Sequence, residues 1–131
     1  MLCTSVGDRL TAVPEVLDPA RLLLLQHEAE RVHLDPVLAK YLHDIVSATR
    51  SHASIALGAS TRAALSLAQA ARARALLRQR EFCIADDIHD LAVPVLAHRI
   101  RLASQVDGFV PVADDAEAAV RDLLGRIAVP L

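Results

Sequence analysis

The sequence predicts a small all-α bundle of about five helices, built as one domain. At 131 residues the chain has the length of a single domain. Apolar residues make up 53% of it, yet it holds only one Tyr, two Phe and no Trp. A core of Leu, Ala, Val and Ile suits close-packed helices better than a β-sandwich rich in aromatic side chains. We identify no strand, internal repeat or low-complexity segment.

The first two helices carry the same start signal, an aspartate followed by a proline. Asp18 and Asp35 are suitable N-caps, and a proline at the first helical position loses no helical hydrogen bond. We predict helices from Asp18 to about Val32 and from Asp35 to about Arg50. The second helix has one apolar face, formed by Leu38, Tyr41, Leu42, Ile45 and Thr49. Residues 1–17 show no sustained period and are predicted to be a connector.

A third helix is predicted from about Thr61 to Gln79, after a loop over residues 51–59. Ser60 is a suitable N-cap for it. One face carries small side chains that permit close packing, namely Ala64, Leu67, Ala68, Ala71 and Ala75. The other side carries arginines, namely Arg72, Arg74, Arg78 and Arg80. Arg74 and Arg78 are predicted to form a solvated face, with a subunit interface as the alternative.

The last two helices begin at paired aspartates. Asp86-Asp87 place negative charge in the first turn of the fourth helix, where the helix dipole favours it. Pro94 falls inside this helix and is expected to remove one hydrogen bond or to kink it. After a loop over residues 106–112, Asp114-Asp115 open a final helix, which ends before Pro130.

The motifs of common enzymes are absent from the sequence. It contains no GxxxxGK[ST] phosphate loop, no GxGxxG after a strand and no GxSxG elbow. The stretch from His27 to Arg31 begins like an HExxH zinc-protease helix, but Arg31 stands where the second histidine is required. No two of the six histidines lie four residues apart, so no metal site is predicted.

Charge and cysteine usage limit the partners and the compartment. A formal net charge of -2 gives no general attraction to nucleic acid or to an anionic membrane. The two cysteines, Cys3 and Cys83, are isolated from each other, and we identify no signal peptide. We therefore expect a soluble protein of the reducing cytoplasm.

Five short segments are informative as an ordered set. They are Ala48-Thr49-Arg50, Leu57-Gly58-Ala59-Ser60-Thr61-Arg62-Ala63, Arg80-Glu81-Phe82-Cys83-Ile84, Asp86-Asp87-Ile88 and Val95-Leu96-Ala97-His98-Arg99. In this order and spacing they resemble the lid of MoxR-type AAA+ ATPases, and the resemblance covers roughly residues 7–131. Two positions depart from that family's pattern. Thr61 replaces a proline, and Gln79 replaces the glycine before Arg80, so we expect a less left-handed end to the third helix.

The resemblance implies a place in a larger ATPase. Residues 18–131 would be the lid, and residues 1–17 would connect it to an αβ core of the same chain. ATP and Mg²⁺ would be bound by the parent protein, and the lid alone, which lacks a phosphate loop, would bind neither and be inactive. Such ATPases form rings, commonly hexamers, and are linked to chaperone-like maturation of partners that often contain von Willebrand A domains.

Arg62 is the strongest candidate for a functional residue. Because Ser60 caps the third helix, Arg62 falls in its first turn, where free N–H groups and the positive end of the dipole favour an anion. A guanidinium there adds five donors suited to phosphate. By resemblance, Arg62 matches the sensor-2 arginine that reaches the γ-phosphate, with Ser60 and Thr61 beside the nucleotide. The alternative is an ordinary surface arginine at a helix start.

Other candidate residues have more than one interpretation. Arg50 could cap the end of the second helix, or it could bind the core or a neighbouring subunit. His98 and Arg99 could contact the core, or they could serve only a helix end. The whole chain could instead be a stand-alone helical adaptor that binds a partner through apolar grooves. A helix-turn-helix DNA binder using the Arg72–Arg80 segment is disfavoured by the negative net charge.

Overall fold

The computed structural model describes residues 14, 16–106 and 113–130, and helices dominate them. The longer helices are α1 Pro19–Arg31, α2 Pro36–Ala48, α3 Thr61–Leu77, α4 Ala85–Leu96 and α6 Ala113–Leu124. Shorter elements are strand β1 Ile55–Leu57, a 3₁₀ turn Ala97–Arg99, strand β2 Arg101–Leu102 and helix α5 Ala103–Val106. The predicted all-α class with five principal helices is confirmed. None of the helices described is long and apolar enough to cross a membrane.

The predicted helix starts are also confirmed. Asp18 Oδ1 accepts a hydrogen bond from the Arg21 N–H at 2.8 Å, and Asp35 Oδ1 accepts one from the Val37 N–H at 2.8 Å. Each helix has a proline in its first turn, as the sequence predicts. Helix α4 continues through Pro94 to Leu96. Most of the predicted connector and of the loop over residues 106–112 lies outside the described residues.

Helix α3 is the centre of the bundle, packing against α1, α2 and α4. Its inward face is almost free of solvent, with Ala63 at 1% and Leu67, Ala71 and Ala75 at 0% exposure. Alanine keeps the neighbouring helices close, because no long side chain separates their backbones. The partner helices supply larger side chains to the same core, among them Ile45, Ile88, Leu96, Val120 and Leu123.

A small antiparallel sheet corrects the expectation that no strand exists. Ile55 pairs with Leu102, and Leu57 pairs with Arg101 across a register irregularity. Both Ile55 and Leu102 are buried. A two- or three-residue strand is too short to show the alternating pattern by which strands are predicted. An isolated parallel bridge between His33 and Phe82 likewise joins the segments that follow α1 and α3.

The end of α3 corrects a second expectation, because it is fully left-handed without glycine. Gln79 has φ 57°, and its N–H donates to the Leu76 carbonyl at 2.8 Å. The Arg80 N–H donates to the Ala75 carbonyl at 2.9 Å. These two bonds form a Schellman motif, which requires a left-handed residue at this position. Glutamine adopts that conformation here at a steric cost that glycine would avoid.

The arginines on the outer side of α3 are not all solvated, which is a third correction. Arg80 donates to both carboxylate oxygens of Asp87 at 2.7 Å, and Arg74 lies 3.5 Å from Asp87 and also pairs with Asp90. Arg74 and Arg80 therefore join α3 to the start of α4, whereas Arg78 is exposed as predicted. The function suggested for Asp87, serving the helix start, is only part of its role.

Asp87 is charged although its residue is only 1% exposed. Burial alone would raise the pKa of its carboxyl. Hydrogen bonds from Arg80 and from the Ile84 N–H, with the charge of Arg74, outweigh burial and hold that pKa below its ordinary value of 3.8. The contact with Ile84 measures 2.9 Å and satisfies a backbone donor at the N-terminus of α4.

Candidate functional site

The predicted site residues lie at the N-terminus of α3. Ser60 has the extended backbone of an N-cap, and its hydroxyl accepts a hydrogen bond from the Ala63 N–H at 3.3 Å. Thr61 and Arg62 follow in the first turn, and both are exposed. The N–H groups of Thr61 and Arg62 and the Arg62 guanidinium donate to no acceptor among the described residues. No acceptor in the described part of the chain therefore competes with an anion for these donors.

The turn that leads into α3 is bound to the end of α2. Thr49 is fully buried, and its hydroxyl accepts a hydrogen bond from the Ala59 N–H at 2.8 Å. The same hydroxyl donates to the Val46 carbonyl at 2.6 Å. A buried hydroxyl that both donates and accepts leaves little freedom to the segment it holds. Thr49, at the end of α2, thus helps to fix the position of Ser60 at the start of α3.

Arg50 binds the same turn from its other side. Its Nε donates to the Ala59 carbonyl at 3.1 Å. Of the two roles left open by the sequence, capping the end of α2 is not what this nitrogen does, because its acceptor lies nine residues further along the chain. Gly58 is required beside it, since a Cβ there would lie 2.7 Å from Arg50 Cγ and 2.8 Å from Arg50 Cα.

His98 and Arg99 lie in the 3₁₀ turn that precedes β2, and both are exposed. Because β1 and β2 are antiparallel, with Leu57 opposite Arg101, the residues entering β2 lie at the end of the sheet where β1 leaves towards Gly58. The Arg99 Nε donates to His98 Nε2 at 3.1 Å. The sheet therefore brings this pair to the same end of the molecule as Ser60, without a hydrogen bond to Arg62.

Four exposed arginines lie on or beside the turn and the small sheet. Arg50, Arg62, Arg99 and Arg101 are all exposed, and they belong to four separate segments of the chain. The acidic partners of the α3 arginines, Asp87 and Asp90, pair instead with the far end of that helix. A helix of 17 residues is about 25 Å long, so the two charged regions are well separated. The arrangement suits an incoming anion at the α3 start.

Sequence reasoning missed the contacts that hold the turn. The sequence indicates Gly58 and Ala59 only as members of a motif, and it predicts Thr49 on the apolar face of α2 without a hydrogen-bond partner. The adjacency of Thr49 and Arg50, both polar at a helix end, was the available signal. Both residues bind Ala59, which lies ten residues after Thr49 and nine residues after Arg50. Sequence spacing does not predict this partner, because the intervening turn and strand have no periodic pattern.

Comparison with known proteins covers most of the chain. The AAA lid domain family matches residues 47–123, which span Thr49, Ser60 and Arg62. The chain is 37% identical over 123 residues to the protein YeaC of Bacillus subtilis (strain 168), covering 89% of this chain and 37% of that one. It is 31% identical over 127 residues to the chaperone MoxR1 of Mycobacterium tuberculosis, covering 88% and 32% respectively.

A solved structure shares the fold. It is that of a Cytophaga hutchinsonii protein provisionally assigned as an ATPase, with a TM-score of 0.73 and 27% identity. The match covers 86% of this chain and 36% of the other. The chain thus spans about a third of the length of these relatives. On the family match, the relatives and the shared fold, the chain belongs to the AAA lid domain family, as a lid of the MoxR type.

Proposed function

We propose that this lid closes over ATP held by a separate αβ core and that Arg62 binds the γ-phosphate. The observation that carries the proposal is the capped start of α3, where an exposed guanidinium stands beside two N–H groups without an acceptor among the described residues. Such a helix start favours an anion, and a charge clamp on a transferring phosphoryl group acts mainly in the transition state. Ser60 and Thr61 contribute the remaining contacts.

The larger assembly follows from the family rather than from any contact within this lid. We propose that the core lies in the same chain, joined through residues 1–17, and that it holds the phosphate loop and Mg²⁺. Neighbouring subunits form a ring, commonly a hexamer, in the cytoplasm. The ring acts as a chaperone-like machine on partner proteins, including ones with a von Willebrand A domain. We propose that Arg50, His98 and Arg99, which are all exposed, contact the core or a neighbouring subunit.

The decisive experiment measures ATP turnover by the complete protein that carries this lid and its core, at saturating nucleotide. We expect Arg62→Ala to lower kcat by about 10²-fold or more, with nucleotide binding largely kept. Arg78→Ala is the matched control, because Arg78 is an exposed arginine at the opposite end of the same helix. Equal rates for wild type and Arg62→Ala would reduce Arg62 to a helix-start residue and refute the proposal.

A second candidate function, a helical adaptor, is supported by one observation. Leu22, Leu23, Leu24 and Leu25 in α1 are 44–64% exposed, although they cover most of the helix circumference. An apolar helix surface of this kind is typical of one that is covered by a partner. If the chain is an adaptor, polar substitution of Leu23 and Leu24 would abolish partner binding while Arg62→Ala would leave it unchanged.

A further inference from the structure

We propose that Thr49 and Arg50 are positioning residues for Arg62, acting through the turn formed by Gly58, Ala59 and Ser60. The inference rests on the proposed function, since it explains how Arg62 is held where a phosphate can meet it. Neither side chain need touch the nucleotide for this role. The two residues are consecutive at the end of α2, and together they bind both backbone polar groups of Ala59.

The first contact is buried from solvent. Thr49 is 0% exposed and Ala59 is 1% exposed, so water does not compete for the Ala59 N–H. The 2.8 Å bond to the Thr49 hydroxyl satisfies that donor, and the hydroxyl is itself oriented by its bond to the Val46 carbonyl. Losing the hydroxyl leaves a buried N–H unpaired, which a native structure avoids by moving the segment.

The second contact fixes the carbonyl side of the same residue. The Ala59 carbonyl belongs to the peptide group that supplies the Ser60 nitrogen, so holding it at 3.1 Å from Arg50 Nε orients the N-cap directly. Gly58 passes so close to Arg50 that a side chain at this position would collide with the Arg50 backbone. Two hydrogen bonds therefore hold the peptide groups on both sides of Ala59, beside a glycine that leaves room for the approach.

The constraint is transmitted to Arg62 because only one residue separates it from Ser60. The end of α2 is anchored in turn by the fully buried Ile45 and the nearly buried Val46. The chain of contacts runs from the core through Thr49 and Ala59 to the first turn of α3. A displacement of about 1 Å at a phosphate-binding group can cost roughly 10²-fold in rate, so a contact that prevents it has a functional consequence.

The test is a double-mutant cycle on kcat in the complete ATPase, with Thr49→Val and Arg62→Ala made singly and together. Valine keeps the shape of threonine but removes the hydroxyl, and Thr49→Ser restores it. We expect Thr49→Val to lower kcat by about 10-fold or more, and Thr49→Ser to retain most of the rate. In the Arg62→Ala background, Thr49→Val should change kcat by less than about twofold, because the group being positioned is already gone.

The outcomes separate this inference from the proposed function. If Arg62→Ala lowers kcat while Thr49→Val does not, the positioning role is refuted and the phosphate-sensing role stands. If both lower kcat and their effects multiply, Thr49 acts only on folding or elsewhere, and the inference is again refuted. If Arg62→Ala has no effect, the proposed function fails first. Should Thr49→Val not fold, Gly58→Ala takes its place in the same cycle, since its Cβ displaces the turn from Arg50.

Discussion

Helices α1 and α3 lie side by side, yet they are held in different ways. Helix α3 buries Ala63, Leu67, Ala71 and Ala75, and both its ends are tied by hydrogen bonds to other segments. Helix α1 has no buried residue and exposes its leucines on most sides. The candidate site thus stands on the most firmly packed helix of the bundle. Helix α1, with its exposed leucines, is packed less completely within this lid than α3 is.

The largest expected effect tests this contrast directly, with a leucine from each helix. Leu67→Ala in α3 opens a cavity in a site with 0% exposure, and we expect the free energy of unfolding to fall by about 2–5 kcal/mol. Leu24→Ala in α1 removes a side chain that is 64% exposed, so the change should stay within about 0.5 kcal/mol. Urea unfolding of both variants is the measurement. Similar losses would mean that α1 is as firmly packed as α3.

The next effect concerns the junction of α3 with α4. Asp87→Asn keeps the shape of the side chain but removes the charge that Arg80 and Arg74 bind, so we expect a loss of about 1.5–3 kcal/mol at neutral pH. Asp86→Asn is the control, because Asp86 is exposed in the same first turn. A loss for Asp86→Asn equal to that for Asp87→Asn would show that helix-dipole charge, rather than the buried pair, matters here.

The same pair also has a pH signature. Since the folded pKa of Asp87 lies below 3.8, its stabilising contribution is complete above that value and is lost as pH falls through the folded pKa. The difference in unfolding free energy between wild type and Asp87→Asn should therefore shrink between neutral pH and pH values below about 4. A difference that stays constant over this range would contradict the assignment of the charge to Asp87.

The smallest effect is a gain, at the C-terminal end of α3. Gln79→Gly relieves the left-handed backbone strain at φ 57°, and we expect a stabilisation of about 1 kcal/mol. Gln69→Gly is the matched control, because Gln69 is an exposed glutamine inside the same helix, where glycine should cost about 1 kcal/mol. Opposite signs for two identical substitutions in thermal unfolding would support the Schellman geometry. Equal signs would rule it out.

Local signals in the sequence predicted the helices well. Each N-cap accepts a hydrogen bond from a backbone N–H two or three residues later, as Asp18, Asp35 and Ser60 do. Such short-range contacts can be predicted from the sequence alone. The ordered motif set likewise identified the family, and the start of α3 as the candidate site. The features that the sequence did not predict depend on residues that are far apart in the chain. The ladder between Ile55 and Leu102 depends on contacts made after two helices have intervened.

The charged residues show the same limit. Spacing placed Arg74 on an outer face of α3, which is correct, but it gave no indication that Asp87 and Asp90 of the next helix cover that face. The prediction at Gln79 was wrong for a different reason. Residue preference predicted a less left-handed helix end, whereas the two Schellman hydrogen bonds outweigh the steric cost to glutamine. A residue preference is weak where local backbone hydrogen bonds fix the conformation of a helix end.

The small sheet also has a consequence for the order of folding. Its two strands are separated in sequence by α3 and α4, so they pair across a long stretch of chain. Pairing across such a long loop carries an entropy cost that short-range helix formation does not, so the ladder is expected to form late. Since β1 leads directly into Gly58 and Ser60, the turn at the start of α3 is expected to be completed late as well. An incompletely folded lid would therefore lack the fixed turn that precedes Arg62.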